Sequence, residues 1–383
     1  MKDNRDISLD WFKGLCMALV MMVHIGGAKI CHAGLPVGFC SWANSFKLIG
    51  FFVVSGFLLS IKNSTFESLE GRGGHRWRSV MYPYFLFSLL LLLIMPFLNT
   101  DNLGSATSYS KAIAINIVTF RGQSTLWFLP VLFISEMAFI CVLTLERRLS
   151  FSTGVCRFRW PIVVSTGLVL LLHSLLSPLA RPFIDEPIGR QIVASWILPW
   201  LRAMPAFVAF AAGAVLLPFL IRILKERKPT FAAAGIAFLL LGWLGSRALG
   251  VVNWASNIYG GNIVLFLASG LMSSFGFILL FKIVAPHLKL PILAYIGVNS
   301  LILMATHLPF PLIKLTEGIY EATLGRIPLA NDFLLSHGML KSLTLLSVLL
   351  VIEFPIVWLF THTRLCILLG RRWDGEGWMK LRI

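Results

Sequence analysis

Long apolar segments recur along the whole chain, and they limit the fold more than any other feature of the sequence. A helix that crosses the roughly 30 Å hydrocarbon core of a bilayer needs about 20 mostly apolar residues. Ten such segments can be marked, at residues 12–30, 45–61, 80–98, 126–145, 160–177, 200–221, 231–249, 261–283, 290–312 and 339–361. The sequence therefore predicts an all-α polytopic membrane protein with about ten transmembrane helices.

Composition and charge support this class. Only 13% of the 383 residues are charged, against about 25% in soluble domains. The 33 Lys and Arg residues lie mainly in short connections between apolar segments, which predicts that both termini are cytoplasmic. This distribution argues against nucleic acid as a partner. We expect one integral membrane domain over residues 1–383, a retained signal anchor at its start and a basic cytoplasmic tail at 364–383.

The six cysteines show neither a C-x-x-C pair nor metal-ligand spacing with histidine. We interpret them mostly as free thiols in the membrane. A disulfide between Cys31 and Cys40 in the first external loop is the alternative. No metal site is predicted.

The first apolar segment carries an ionisable stripe. In a helix, Asp6, Asp10 and Lys13 lie within roughly 40° of the direction of His24, and Lys13 lies about 16 Å below it along the axis. One elongated ligand could bridge that distance. Ionisable groups inside a bilayer are costly and usually functional, so His24 is a candidate catalytic residue. The alternative is a buried histidine that a neighbouring helix satisfies.

Further polar residues interrupt the later segments. We expect Ser55, in GFFVVSGFLLS, either to line the substrate site or to pack against another helix. Arg76 and Arg78 precede the third segment, where guanidinium groups either bind phosphate or anchor the helix end. Glu136 lies about halfway along the fourth segment, and we expect a cationic partner for it on a facing helix.

Three more candidates lie at segment ends or in the ninth segment. Trp127 begins the fourth segment, at the level where interfacial tryptophans are common. Ser300 and His307 are polar positions on an otherwise apolar ninth segment. Solvation at the membrane interface is an alternative explanation for His307. If they are functional, we expect these three residues to line the substrate site or to support His24.

Several motifs in order resemble the membrane-bound acyltransferase family 3, whose members O-acylate surface polysaccharides, macrolides and related acceptors. The matching pieces are RDISLDWFKGLCMALVMMVH, GFFVVSGFLLS, Arg76 to Tyr84, TLWFLPVLF, IGVNSLILMATH and IEFP. Together they cover nearly the full chain. Two departures occur: Lys13 stands where the family usually has arginine, and the paired arginines are compressed to Arg76-Trp77-Arg78.

The resemblance implies an acyl-CoA-dependent O-acyltransferase of the bacterial inner membrane. Acetyl-CoA is then the expected cosubstrate, with no bound cofactor, and a surface or lipid-linked glycan is the expected acceptor. His24 would be the general base, because neutral imidazole suits proton removal near pH 7. Lys13, Arg76 and Arg78 would bind the donor, with Asp10, Ser55, Trp127, Glu136, Ser300 and His307 in supporting or substrate-lining positions.

Two alternatives belong to other classes. A multi-span transporter or exporter would use His24 and Glu136 in proton coupling. A non-catalytic membrane subunit would use the His24 stripe as a helix-docking surface. The oligomeric state is open between a monomer and a homo-oligomer.

Overall fold

The computed structural model describes residues 6–25, 38–61, 69–98, 103–153, 160–184, 191–224 and 228–369. Almost all of these residues are helical. The α-helices, numbered in chain order, are α1 (Ile7–His24), α2 (Phe39–Phe46), α3 (Ile49–Ile61), α4 (Leu69–Arg76), α5 (Tyr82–Leu98), α6 (Leu103–Val118), α7 (Phe128–Thr153), α8 (Trp160–Ile184), α9 (Gln191–Ile223), α10 (Lys228–Arg247), α11 (Ile263–Val284), α12 (Pro291–Val298), α13 (Ser300–Thr306), α14 (Leu312–Ala322), α15 (Pro328–Ser336) and α16 (Gly338–His362).

The remaining regular structure is short. A π-helical turn, Trp77–Met81, joins α4 to α5. A hairpin of two-residue strands, β1 (Val252–Asn253) and β2 (Ile258–Tyr259), pairs antiparallel between α10 and α11. The 3₁₀ turns are Ser124–Trp127, Trp254–Ser256, Leu324–Arg326 and Arg364–Leu369. These elements leave the all-α class unchanged.

The described residues contain nine helical segments that are long and apolar enough to cross a membrane. Each matches one of the predicted segments, which confirms the prediction of an all-α polytopic membrane protein. They are Ile7–His24, Phe39–Ile61, Gly73–Ile94, Ser124–Glu146, Trp160–Arg181, Ser195–Ile223, Lys228–Arg247, Ile263–Val284 and Gly338–His362. That both termini are cytoplasmic stays a prediction.

The predicted ninth span, 290–312, is not one continuous helix. It divides at Asn299, whose φ of −99° and ψ of 11° are not helical. The Asn299 side-chain amide donates a hydrogen bond to the Tyr295 carbonyl oxygen at 2.9 Å, and such a local bond competes with regular helix geometry. The two pieces are α12 and α13, and α13 is followed by His307.

The first helix also differs from its predicted bounds of 12–30. It begins at Ile7, where Asp6 caps it by accepting a hydrogen bond from the Ser8 amide at 3.1 Å. It ends at His24, and Ile25 is already extended. Its 18 residues span about 27 Å. His24 is therefore the last residue of this helix and does not lie in its interior, as the bounds 12–30 would have placed it.

Small residues allow the central helices to approach each other closely. A Cβ at Gly14 of α1 would overlap the backbone of α12, and a Cβ at Gly297 of α12 would overlap the backbone of α1. Gly56 of α3 and Gly213 of α9 meet the facing backbones in the same way. Close backbone contact is a main source of helix association in membranes, so Gly56 has a packing role.

The outer surface is apolar where it would meet lipid. On α8, Leu168, Leu171, Leu175 and Leu179 are each more than half exposed. Their spacing of three and four residues places them on one face of the helix. Such a face would be unfavourable in water, and it fits a hydrocarbon environment.

Cysteine usage differs in part from the prediction. Cys16, Cys141 and Cys366 are free, as expected. Cys40 forms a disulfide, so the free-thiol interpretation is wrong for this residue. Cys31, the partner in the alternative pairing, lies outside the described residues.

Candidate functional site

The centre of the candidate site is a pair of histidines from opposite ends of the chain. His24 is the last residue of α1, and His307 follows α13 directly. Their rings stack with centroids 5.2 Å apart and an interplanar angle of 21°. His24 Nδ1 lies 3.0 Å from His307 Nε2. The ring of His307 is fully buried, whereas His24 is half-buried.

The hydrogen bonds around His307 assign the proton positions of both rings. His307 Nδ1 lies 2.5 Å from the Leu303 carbonyl oxygen, which can only accept, so Nδ1 carries a proton. In a neutral ring, Nε2 of His307 is then the acceptor, and His24 Nδ1 must donate to it. This leaves a lone pair on His24 Nε2. Among the described residues, no hydrogen bond occupies that atom.

A buried carboxylic acid holds the segment that carries His307. The Thr306 hydroxyl lies 2.9 and 2.8 Å from the two carboxyl oxygens of Glu353 on α16. Glu353 is only 1% exposed. The contact fixes α13 against α16, one residue before His307. Glu353 belongs to the IEFP motif, and the sequence did not connect it to His307.

The other ionisable residues of the α1 stripe form ion pairs near the start of the helix. Lys13 Nζ lies 2.9 Å from Asp10 Oδ1, and Asp10 is buried. Asp6 pairs with Lys282 of α11 at 2.6 Å. The stripe is therefore divided into a paired region at its beginning and the histidine at its end.

An open cavity of about 440 Å³ lies beside the first turn of α1. Its charged lining is Asp6, Lys228 and Lys282. Lys228 Nζ lies 3.1 Å from His287 Nε2. This cavity could not be predicted from the sequence, because its walls come from α1, α10 and α11.

The two predicted donor-binding arginines have different surroundings. Arg76 Nε donates to Glu136 Oε2 at 2.6 Å, and its Nη2 contacts the same oxygen. This is the cationic partner that the sequence led us to expect for Glu136, which is 1% exposed. Arg78 is exposed in the π-helical turn and forms no ion pair with a described residue.

Three supporting residues lie in other surroundings. Trp127 is buried beneath Arg202, whose guanidinium carbon is 5.0 Å from the Trp127 ring centroid. The neighbouring Thr125 hydroxyl donates to the Met304 carbonyl oxygen at 2.7 Å, which ties this turn to α13. Ser55 and Ser300 are half-buried and form no hydrogen bond through their side chains to a described residue.

One charged residue near the histidine pair was missed by the sequence analysis. Lys47, between α2 and α3, is only 7% exposed and lies within electrostatic range of both His24 and His307. The signal was available, because Lys47 is a single cation at the start of a long apolar segment. It was overlooked because lysines near segment ends are usually interfacial anchors.

The fold and this site define a polytopic, all-helical integral membrane protein with a histidine pair between two of its helices. The match to a family model, described as an acyltransferase domain, covers residues 6–362. The chain therefore belongs to acyltransferase family 3. No curated protein and no solved structure gives a significant match to the chain.

Proposed function

We propose that this acyltransferase moves an acetyl group from acetyl-CoA to a hydroxyl of a surface or lipid-linked glycan, with His24 as general base. The observation that carries the proposal is the lone pair of His24 Nε2, which follows from the contacts of His307 with Leu303 and His24 and to which no described residue donates a hydrogen bond. A sugar hydroxyl is a weak nucleophile until a base removes its proton. His24 is half-buried, and its Nε2 is able to accept that proton.

The reaction is direct transfer. His24 Nε2 takes the hydroxyl proton as the acceptor oxygen bonds to the thioester carbonyl carbon. The tetrahedral intermediate then breaks its C–S bond, and the thiolate takes the proton back from His24. The products are an ester and coenzyme A with a free thiol. His307 is a positioning residue, since it accepts the Nδ1 hydrogen of His24 in both the neutral and the charged state.

Charge supports a donor that enters from the side on which α1 begins. Coenzyme A carries several phosphates, which arginine and lysine bind well. Arg78 is exposed and without an ion pair among the described residues, so it is the most suitable of the three predicted donor contacts. Lys13 and Arg76 already neutralise Asp10 and Glu136, and they contribute through the positive field of this region.

The position of His24 supports an acceptor that arrives from the opposite side. His24 is separated from Asp6 by about 27 Å of helix, close to the thickness of the hydrocarbon core. The acyl end of the donor would have to reach the far end of α1, while the phosphates stay near its beginning. Coenzyme A is an elongated molecule, so its phosphates and its acyl end can lie near opposite ends of α1.

Family membership favours this function over the transporter alternative. The observed contacts also argue against the transporter alternative, because proton coupling would require His24 and Glu136 to act together. In the described part of the chain, His24 is hydrogen-bonded to His307, whereas Glu136 is hydrogen-bonded to Arg76. The two pairs lie on different helices.

The test is acetyl transfer by the purified protein in nanodiscs. Radiolabelled acetyl-CoA is the donor, and membranes from cells that lack the gene supply the acceptor. Wild-type protein should label the glycan fraction, and His24→Ala should lower the rate by about 10²- to 10⁴-fold while the protein remains folded. Mass spectrometry of surface glycans from a deletion strain should reveal the loss of acetyl groups. An unaltered rate in His24→Ala would contradict the assignment of the base.

A further inference from the structure

A buried lysine near the histidine pair has no counter-ion in the described part of the chain. Lys47 lies within the membrane-spanning segment Phe39–Ile61 and is 7% exposed. None of the described carboxylates forms an ion pair with it. Burying an ammonium group without a partner is costly, and such residues inside membranes usually serve function.

The backbone directs Lys47 towards α1. Its φ of −54° and ψ of −34° are helical, so it shares a helix face with Gly50, three residues later. Gly50 lies against α1, since a Cβ there would overlap Phe12 and Cys16. Lys47 therefore faces the same helix that ends at His24.

The opposite side of this segment is occupied by α11. The backbone of Ser45 and the side chain of Ile49 meet α11 at Gly270, where a Cβ would overlap both. The Trp42 indole donates to the Ser273 hydroxyl at 2.9 Å. These contacts fix α2 and α3 against α11 and leave Lys47 on the α1 side.

The position along α1 agrees with an ammonium group close to the imidazoles. His24 lies about 12 Å beyond Cys16 along the helix axis. Lys47 precedes Gly50 by about one turn, and its four-carbon stem extends the reach of the ammonium group.

We infer that Lys47 is a further catalytic residue, whose ammonium group stabilises the oxyanion that forms on the thioester carbonyl. The inference rests on the proposed function. As the acceptor oxygen attacks, the carbonyl π electrons move to oxygen and create a negative charge beside the base. That charge supplies the missing counter-ion of Lys47. The electrons return to the carbonyl when the C–S bond breaks, and Lys47 keeps its three protons throughout.

Two other roles fit the chemistry less well. If the Lys47 amine took the acyl group itself, the product would be an amide, which is far less reactive than a thioester and would stop the reaction. If Lys47 bound an anion already present on the donor or acceptor, it would stabilise the bound substrate and the transition state equally. The separation of kcat from KM distinguishes this second role from oxyanion stabilisation.

The experiment measures kcat and KM for acetyl-CoA, in the nanodisc assay, for Lys47→Met and Lys47→Arg. Removing one oxyanion donor costs about 10²- to 10³-fold in kcat, so Lys47→Met should lose that much with little change in KM. Lys47→Arg keeps the charge and should retain part of the activity. Lys314→Met is the matched control, because Lys314 is exposed on α14, and it should behave as wild type.

Thermal stability separates catalysis from folding. Lys47→Met removes, at similar size, a buried charge that no described carboxylate neutralises, so its Tm should equal or exceed that of wild type. A lowered Tm that accounts for the lost activity would overturn the inference, as would a change confined to KM. If both Lys47→Met and Lys47→Arg resist purification, the role is structural and the inference is also overturned. Failure of the proposed function gives a different result, namely no acetyl transfer by the wild type.

Discussion

His24 Nδ1 lies 3.0 Å from His307 Nε2, and this contact joins the end of α1 to the end of α13. Because His307 Nδ1 donates to the Leu303 carbonyl oxygen, the direction of the hydrogen bond within the pair is defined. His24 donates through Nδ1, and no described residue forms a hydrogen bond with its Nε2. The arrangement resembles the general plan in which one group orients the imidazole that performs proton transfer.

Replacing His307 should therefore lower activity through His24. His307→Leu removes the acceptor for His24 Nδ1, and we expect kcat to fall by about 10²-fold or more because the imidazole loses its orientation and tautomer. His307→Gln offers an amide oxygen that can accept the same hydrogen, so it should retain clearly more activity. Equal activity of the two variants, measured as acetyl transfer at saturating acetyl-CoA, would argue against the positioning role.

The buried ion pair of Arg76 and Glu136 should be important for stability. Arg76→Met leaves the Glu136 carboxylate buried without its guanidinium partner, and breaking such a pair costs about 3–5 kcal/mol. We expect reduced yield and a lower Tm in detergent. The double variant Arg76→Met/Glu136→Leu should recover much of the Tm, because replacing both partners by apolar residues is often neutral. A single variant with wild-type Tm would contradict this expectation.

Arg78 should affect donor binding and not stability. It is exposed and free of ion pairs among the described residues, so Arg78→Ala should leave Tm unchanged. The KM for acetyl-CoA should rise by about tenfold, the equivalent of roughly 1.4 kcal/mol, and the increase should diminish at high salt because the contact is electrostatic. Arg222→Ala, a change at another exposed arginine, is the control. The hypothesis fails if both variants change KM to the same extent.

The ion pair at the start of α1 should make stability depend on pH. Burial raises the pKa of Asp6, but the hydrogen bonds of Lys282 and Ser8 and the charge of Lys282 outweigh this effect, so its pKa is lowered. A lowered pKa in the folded state gives stability that is present above the ordinary carboxyl pKa. That stability is lost as the pH falls through the folded value.

The variant Asp6→Asn tests this dependence, since asparagine can still cap the helix. Wild-type protein should have the higher Tm near about pH 7, and the corresponding difference in the free energy of unfolding should be less than about 1 kcal/mol because the pair is partly exposed. The difference should shrink as the pH falls below about 4. A difference that stays constant over this range would indicate a role for Asp6 other than ionisation.

Much of the fold could be predicted from the sequence because the bilayer imposes a simple rule. Every backbone polar group must be satisfied within the membrane, so apolar segments of sufficient length become helices. Nine predicted segments appear as long helices in the described residues. The division at Asn299 could not be predicted from hydropathy, because a single local hydrogen bond to Tyr295 changes the backbone without changing the average polarity.

The candidate site was predictable only in part. His24 stood out because an ionisable residue in an apolar helix is costly. The sequence also led us to expect a cation for Glu136, but it could not identify Arg76, because the partner of a buried charge depends on which helices face each other. Lys47 was missed because a lysine near the start of an apolar segment is usually an interfacial anchor, and the sequence does not show which helix it faces.

Hydrophobic length and buried charge are local properties of a segment, so they were enough to predict the class of protein and to single out His24. Which nitrogen of His24 bonds to His307, and which residues surround it, depends on contacts between residues separated by up to 283 positions. Helix packing through small residues such as Gly14 and Gly297 creates those contacts, and no pattern within a single segment contains them.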